Sequence, residues 1–201
     1  MNGRSPYAAV ILAGGAGRRM GGADKPALAV AGRPMLHRVL AAAVDARPRV
    51  VVGPPRSGLP ADVVRVREEP PGGGPVAATA AGLRVLPGTG LVALLAADLP
   101  YLTGAVLAHL SDALRSPELD GAVPVDDGGR RQLLCGVWRI EALLVRLDAL
   151  GPPTGQPFRR LVEGLRIAAL SVPGAAGASP PPWYDCDTEE DLRRAEEWPR
   201  T

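Results

Sequence analysis

The stretch from Leu12 to Lys25, LAGGAGRRMGGADK, gathers residue types suited to holding a polyanion. Its five glycines let backbone N–H groups approach phosphate oxygens with no Cβ in the way, and Arg18, Arg19 and Lys25 add positive charge. That is the chemistry of a triphosphate cradle. The spacing excludes two common versions of it. A dinucleotide fingerprint starting at Gly15 would need glycine where Met20 stands, and a Walker loop would need Gly-Lys-Ser/Thr where Gly22, Ala23, Asp24 and Lys25 stand. A merely flexible turn would not account for three cations among the glycines.

Asp98 is the second residue of interest. It follows the apolar run LVALLAA (91–97), so its carboxylate should emerge at the carboxyl edge of a sheet, where ligands bind in open α/β folds. Oxygen ligands suit Mg²⁺, which takes one or two carboxylates together with substrate phosphates. Asp98 is thus a candidate metal ligand, weighed against a turn aspartate ahead of Pro100.

These residues need a frame to hold them. Apolar runs of strand length recur at 8–13 (AAVILA), 49–52 (RVVV), 63–66 (VVRV) and 91–97, and read as strands buried on both faces. Helical spacing lies between them. Met35, Leu36, Val39, Leu40 and Ala43 share a face after Pro34, which suits a first helical position. Val106, Leu107, Leu110 and Leu114 share another after Thr103, a predicted N-cap, and Val76, Ala80 and Leu83 give a shorter, weaker helix.

Farther on, GAVPV (121–125) and QLLCGVW (132–138) flank the turn DDGGRR and predict an antiparallel strand in the sheet. Helices are expected near 140–150 and over 157–163, then a strand at RIAALSV, a Gly/Pro connector at 174–183, and a last helix opened by Thr188 with Asp191 as a capping box. The alternation predicts an α/β fold: a single-domain, Rossmann-like three-layer sandwich over residues 1–201, its sheet mainly parallel with one antiparallel strand.

The glycine segment resembles the signature of the nucleotidyltransferases that activate sugars and cofactors, a fold of the nucleotide-diphospho-sugar transferase type. It is most similar to that of the molybdenum cofactor guanylyltransferase family. Arg19, Met20, Gly21, Asp24 and Lys25 match that family's opening motif, with one residue inserted at Gly22 or Ala23. GRPML (32–36), GGPVAATAAGL (73–83), AADLP (96–100) and DCDTEEDL (185–192) resemble its later blocks in the right order, so the likeness spans nearly the whole chain.

The resemblance implies transfer of GMP from GTP to the phosphate of Mo-molybdopterin, with Mg²⁺ as cofactor. It implies catalytic roles for Lys25, Arg19 and Asp98, nucleotide contacts from Leu12, Ala13, Gly14, Gly15, Gly17 and Lys25, and Asp187 as a second metal ligand beside Asp98. The family's guanine-reading aspartate falls at Glu69, with Glu68 as second choice. Transient contact with cofactor-insertion or molybdoenzyme partners would follow from such an activity. Cytidylyl transfer to the same cofactor, nucleotidyl transfer to a sugar or alcohol phosphate, and a non-catalytic nucleotide-binding adaptor are the alternatives. The first two would change the base and acceptor pockets; the last would not need Lys25 and Asp98 together.

Composition narrows the classes further. Twenty-three basic and 21 acidic residues are dispersed to a net charge of +2, without a basic stripe, which argues against nucleic acid as a partner. No apolar run predicts a membrane span or signal peptide. Cys135 and Cys186 stand far apart outside any metal or disulfide pattern, which fits a reducing cytoplasm. His37 and His109 read as helix residues rather than metal ligands. Aromatics make up only 3%, so the core must be built from Ala, Val and Leu.

Overall fold

A computed structural model describes residues 6–14, 24–172 and 180–198. Its centre is a seven-stranded sheet built from β1 (Tyr7–Leu12), β4 (Arg49–Val52), β5 (Val63–Val66), β6 (Leu91–Ala96), β7 (Gly121–Pro124), β8 (Cys135–Arg139) and β9 (Ile167–Leu170), in the order β5-β4-β1-β6-β8-β7-β9. All pairings are parallel except those of β8, which runs against both β6 and β7. The predicted single antiparallel strand is therefore β8, inserted between β6 and β7.

Successive strand residues face opposite sides, so one apolar run serves two cores. Ala9 and Ile11 of β1, with Ala93 and Leu95 of β6, pack under α1 (Met35–Ala42) and α3 (Gly104–Ala113). Ala8, Val10, Val92 and Leu94 pack on the other face under α2 (Pro75–Leu83), α4 (Ile140–Leu150) and α5 (Phe158–Leu161). The result is three layers.

Helix α2 was faint in the sequence because it has no polar face: every residue from Val76 to Leu83 is buried. A Cβ on Gly82 would come within 2.4 Å of Val10, so this glycine lets the helix lie directly on β1. Two helix starts are as the sequence predicts. The Thr103 hydroxyl accepts from the Val106 N–H at 3.4 Å, and Thr188 and Asp191 form a reciprocal capping box at the head of α6 (Glu189–Glu197).

Three expectations change in detail. β5 is not buried on both faces: it is an edge strand, with Val64 and Arg65 exposed. Pro34 caps α1 rather than opening it, because its ψ of 137° is extended and it pairs with Ala29. That pairing joins β2 (Ala29–Val30) to β3 (Arg33–Pro34) through a two-residue turn with positive φ at Ala31 and Gly32. Helix α5 is also shorter than the predicted 157–163. Among the described residues, no helix is long and apolar enough to cross a membrane.

Candidate active site

Strand order reverses at β1: β4 and β5 lie to one side and β6 to the other. Ligands of open α/β sheets bind in the crevice outside the carboxyl ends at such a point. Two hydrogen bonds hold the end of β1 there, from Ala13 N–H to the Val52 carbonyl at 2.7 Å and from Ala97 N–H to the Leu12 carbonyl at 3.2 Å. The backbone passes close: a Cβ on Gly53, whose φ is 155°, would fall 2.8 Å from the Ala13 carbonyl. Leu12, Ala13 and Gly14 therefore line this edge. Gly15, Gly17 and Arg19 lie outside the described residues.

Asp98 stands two residues beyond β6, and Lys25 opens a 3-10 turn (Lys25–Ala27) facing it. The Lys25 ammonium is ion-paired with Asp98 Oδ2 and, at 2.5 Å, with Asp187 Oδ1. Asp187 comes from the far end of the chain and is brought here by a docking contact, from Cys186 N–H to the Asp98 carbonyl at 3.3 Å. Burial alone would pull the Lys25 pKa down. The charge of Asp98 and hydrogen bonds to Asp187 and Asp98 outweigh it and leave the pKa raised, so the ammonium stays charged. Asp185 is pushed up by burial, then by the nearby charges of Asp187 and Asp98.

Asp98 Oδ1 is buried and has no hydrogen-bond partner among the described residues. A buried carboxylate oxygen with nothing to accept from is costly unless a ligand completes it. Two hard-oxygen carboxylates around one cation fit Mg²⁺ chemistry when phosphate oxygens supply the remaining ligands. Among the described residues, no group of three or more His, Cys, Asp or Glu is placed to hold a metal ion without such added ligands.

The two glutamates after β5 differ in burial. Glu69 is exposed, whereas Glu68 is only 6% exposed. Neighbouring side chains on an extended segment point to opposite sides, and here Glu68 turns inward to accept from the Gly72 N–H at 3.0 Å. Its Oε1 would be 3.4 Å from a Cβ on Gly14, and its Oε2 is buried with no partner among the described residues.

Trp138 is fully buried, edge-on to Phe158 at 6.1 Å, and belongs to the core. Arg130 and Arg131 are exposed on the β7–β8 turn, whose shape is set by Asp126 accepting from the Gly128 and Arg130 N–H groups. Two signals went unread in the sequence. One is Arg56, whose side chain is largely buried and grips Asp24. The other is that Lys25 is the only lysine; all the other basic residues are arginine.

A sheet that offers backbone, lysine and carboxylates at its switch point is the frame of an α/β enzyme acting on a nucleoside triphosphate. Residues 9–168 match the MobA-like NTP transferase domain, and the chain belongs to that family. It is 34% identical over 200 residues to molybdenum cofactor guanylyltransferase of Rhodobacter capsulatus, covering 94% of this chain and 95% of that one. Identity to the protein of the same name from Bradyrhizobium sp. (strain ORS 278) is 30% over 195 residues, covering 93% and 90%.

The fold is shared with molybdopterin-guanine dinucleotide biosynthesis protein A of Archaeoglobus fulgidus, at TM-score 0.70 and 22% identity over 94% of this chain and 96% of that one. It is also shared with 2-C-methyl-D-erythritol 4-phosphate cytidylyltransferase of Thermus thermophilus, at TM-score 0.66 and 19% identity over 95% and 97%. These likenesses extend across different bases and acceptors.

Proposed function

We propose that residues 1–201 act as one nucleotidyltransferase domain that transfers GMP from GTP to the phosphate of Mo-molybdopterin. An oxygen of that phosphate attacks the α-phosphorus, the bond to the β-phosphate breaks, and pyrophosphate leaves with the electron pair. A phosphate monoester with a second pKa of about 6 is already an anion at neutral pH, so no general base is needed. The protein's task is alignment and charge neutralisation.

The observation that carries this reading is the Lys25 ammonium clasped by Asp98 and Asp187 at the sheet's switch point, with Asp98 Oδ1 buried and unsatisfied among the described residues. Asp98 and Asp187 would hold Mg²⁺, which when bound with the triphosphate supplies neutralising charge. Lys25 meets the charge that develops on departing pyrophosphate. Leu12, Ala13, Gly14, Gly15 and Gly17 present backbone to the nucleotide, and Arg19 holds a β- or γ-phosphate through its guanidinium.

Glu68 takes the base-reading role in place of Glu69. Its buried carboxylate beside Gly14 suits the paired N1–H and N2–H₂ donors of guanine. The reaction belongs in the cytoplasm, consistent with Cys135 and Cys186 being free thiols.

Calorimetry with the four ribonucleoside triphosphates in Mg²⁺, paired with pyrophosphate release in the presence of molybdopterin, tests the assignment. GTP alone should bind tightly and turn over. Preference for CTP would make the chain a cytidylyltransferase, and binding without pyrophosphate release would make it a nucleotide-binding adaptor.

A further inference from the structure

We infer that Asp24 and Arg56 form a latch that positions Lys25, making Arg56 a positioning residue supplied by the loop after β4. This rests on the role given to Lys25 above. Asp24 directly precedes Lys25, and the backbone between them has little freedom: Ala27 N–H bonds to the Asp24 carbonyl at 2.8 Å, Leu28 N–H bonds to the Lys25 carbonyl at 3.1 Å, and Pro26 is buried. Whatever holds Asp24 therefore also sets where Lys25 starts.

Arg56 holds it with a fork. Its Nε donates to Asp24 Oδ2 at 3.0 Å and its Nη2 donates to Oδ1. The two partners are unequally exposed: the Arg56 side chain is 10% exposed and that of Asp24 50%. The guanidinium is thus the fixed wall, and the Asp24 carboxylate is what it captures. Arg56 borders a cavity of about 340 Å³ behind the turn, lined also by Pro26, Leu36, His37, Ser57 and Leu59. Nη1 is buried without a partner among the described residues, which leaves Asp24 as the carboxylate that answers its charge. The two-point fork fixes the orientation of the carboxylate as well as its distance, which a single point contact would not.

The same geometry links two loops of the site. Arg56 follows the β4 end, where Gly53 packs on Ala13, and Lys25 faces Asp98 beyond β6. The latch thus ties the β4 side of the crevice to the β6 side through one turn.

Kinetics and chemical modification test this together. A displacement of about 1 Å in a catalytic group costs about a hundredfold in turnover, so Arg56→Ala and Asp24→Asn should each lower kcat by about that much, with the KM for GTP changed little. Arg56→Lys, which keeps the charge without the fork, should recover only part of the loss. In a Lys25→Ala background neither substitution should cost anything more, because the latch acts through Lys25. Since the chain has one lysine, acylation at position 25 can be followed by peptide mass spectrometry. Its rate should rise in both latch variants.

Equal losses of kcat with and without Lys25, a rise in KM at unchanged kcat, or an unaltered acylation rate would each overturn the latch. Should Arg56→Ala fail to fold, Asp24→Asn carries the test, since its carboxylate is half exposed. Full turnover by Lys25→Ala alone would remove the catalytic reading of Lys25, while the acylation rates would still report whether Arg56 positions it.

Discussion

Asp98 and Asp120 both flank strands of one sheet, at opposite ends, and their surroundings differ in kind. Asp120 lies just before β7, where Arg166 meets it with its backbone N–H at 2.9 Å, its Nε at 3.2 Å and its Nη2 at 3.1 Å. Nearby, Arg139 donates to the carbonyls of Leu114, Ser116 and Leu119. Around Asp120 the chain's own groups complete the hydrogen bonding of the carboxylate. Asp98, beyond β6, shares Lys25 with Asp187 and keeps one oxygen buried and unanswered among the described residues, as Glu68 does at the same edge. A buried carboxylate oxygen with nothing to accept from is costly, and among the described residues both such oxygens lie at the edge where the proposed ligand would complete the hydrogen bonding.

The comparison predicts that substitutions at the Asp98 end damage activity and those at the Asp120 end damage stability. Asp98→Asn should show the largest effect. It keeps the shape but removes the charge, and loss of a transition-state electrostatic group costs about 100- to 1,000-fold in turnover. Circular dichroism and melting should be unchanged. Normal Mg²⁺-dependent turnover in a folded variant would sink the metal assignment.

Lys25→Ala comes next, with a fall of about a hundredfold in kcat and a much smaller change in GTP affinity, because the contact is strongest in the transition state. Steady-state kinetics with an independent nucleotide titration separates the two. A raised KM at unchanged kcat would make Lys25 a ground-state binding residue.

Glu68→Gln should act on selectivity rather than rate. Turning one acceptor into an NH₂ that faces a guanine donor leaves buried polar groups unmet, at a cost of about 1–3 kcal/mol, or several-fold to about a hundredfold in GTP affinity. CTP and ATP binding should change far less, and Glu69→Gln should change nothing, because its side chain is exposed. If Glu69→Gln erodes GTP preference and Glu68→Gln does not, the two roles are reversed.

The smallest effect belongs to Asp120. The hydrogen bond from Arg166 holds the Asp120 carboxyl below the usual carboxylate range. A lowered pKa contributes stability above the unfolded value and loses it as pH falls through the folded one. Asp120→Asn should therefore cost at most about 1 kcal/mol at pH 7, or about 2–4 °C in Tm. The difference should vanish in acid below the folded pKa. Turnover should stay intact, and a large activity loss would show that the two ends are not independent.

Several elements were legible in the sequence because their causes are local. The apolar runs of β1, β4 and β6, Thr103 at the head of α3 and the Thr188–Asp191 capping box depend on residues within a few positions of one another. Asp98 was legible for the same reason, since a carboxylate just beyond a buried strand has only one edge to occupy. Helix α2 was faint because burial on every side erases the polar stripe that marks a helix.

What only the tertiary structure decided were the pairings across long separations. Lys25 and Asp187 meet over 162 positions, and Arg56 reaches Asp24 over 32, through backbone contacts that no local pattern encodes. The burial of Glu68 rather than Glu69 is of the same kind. Both are glutamates in one loop, and they differ only in which side of the chain turns toward Gly14 and the Gly72 N–H. Sequence by itself determined which residue types were present and which strand ends they followed. Folding decided which of them faced each other, because burial and charge compensation belong to the packed whole and not to any segment of it.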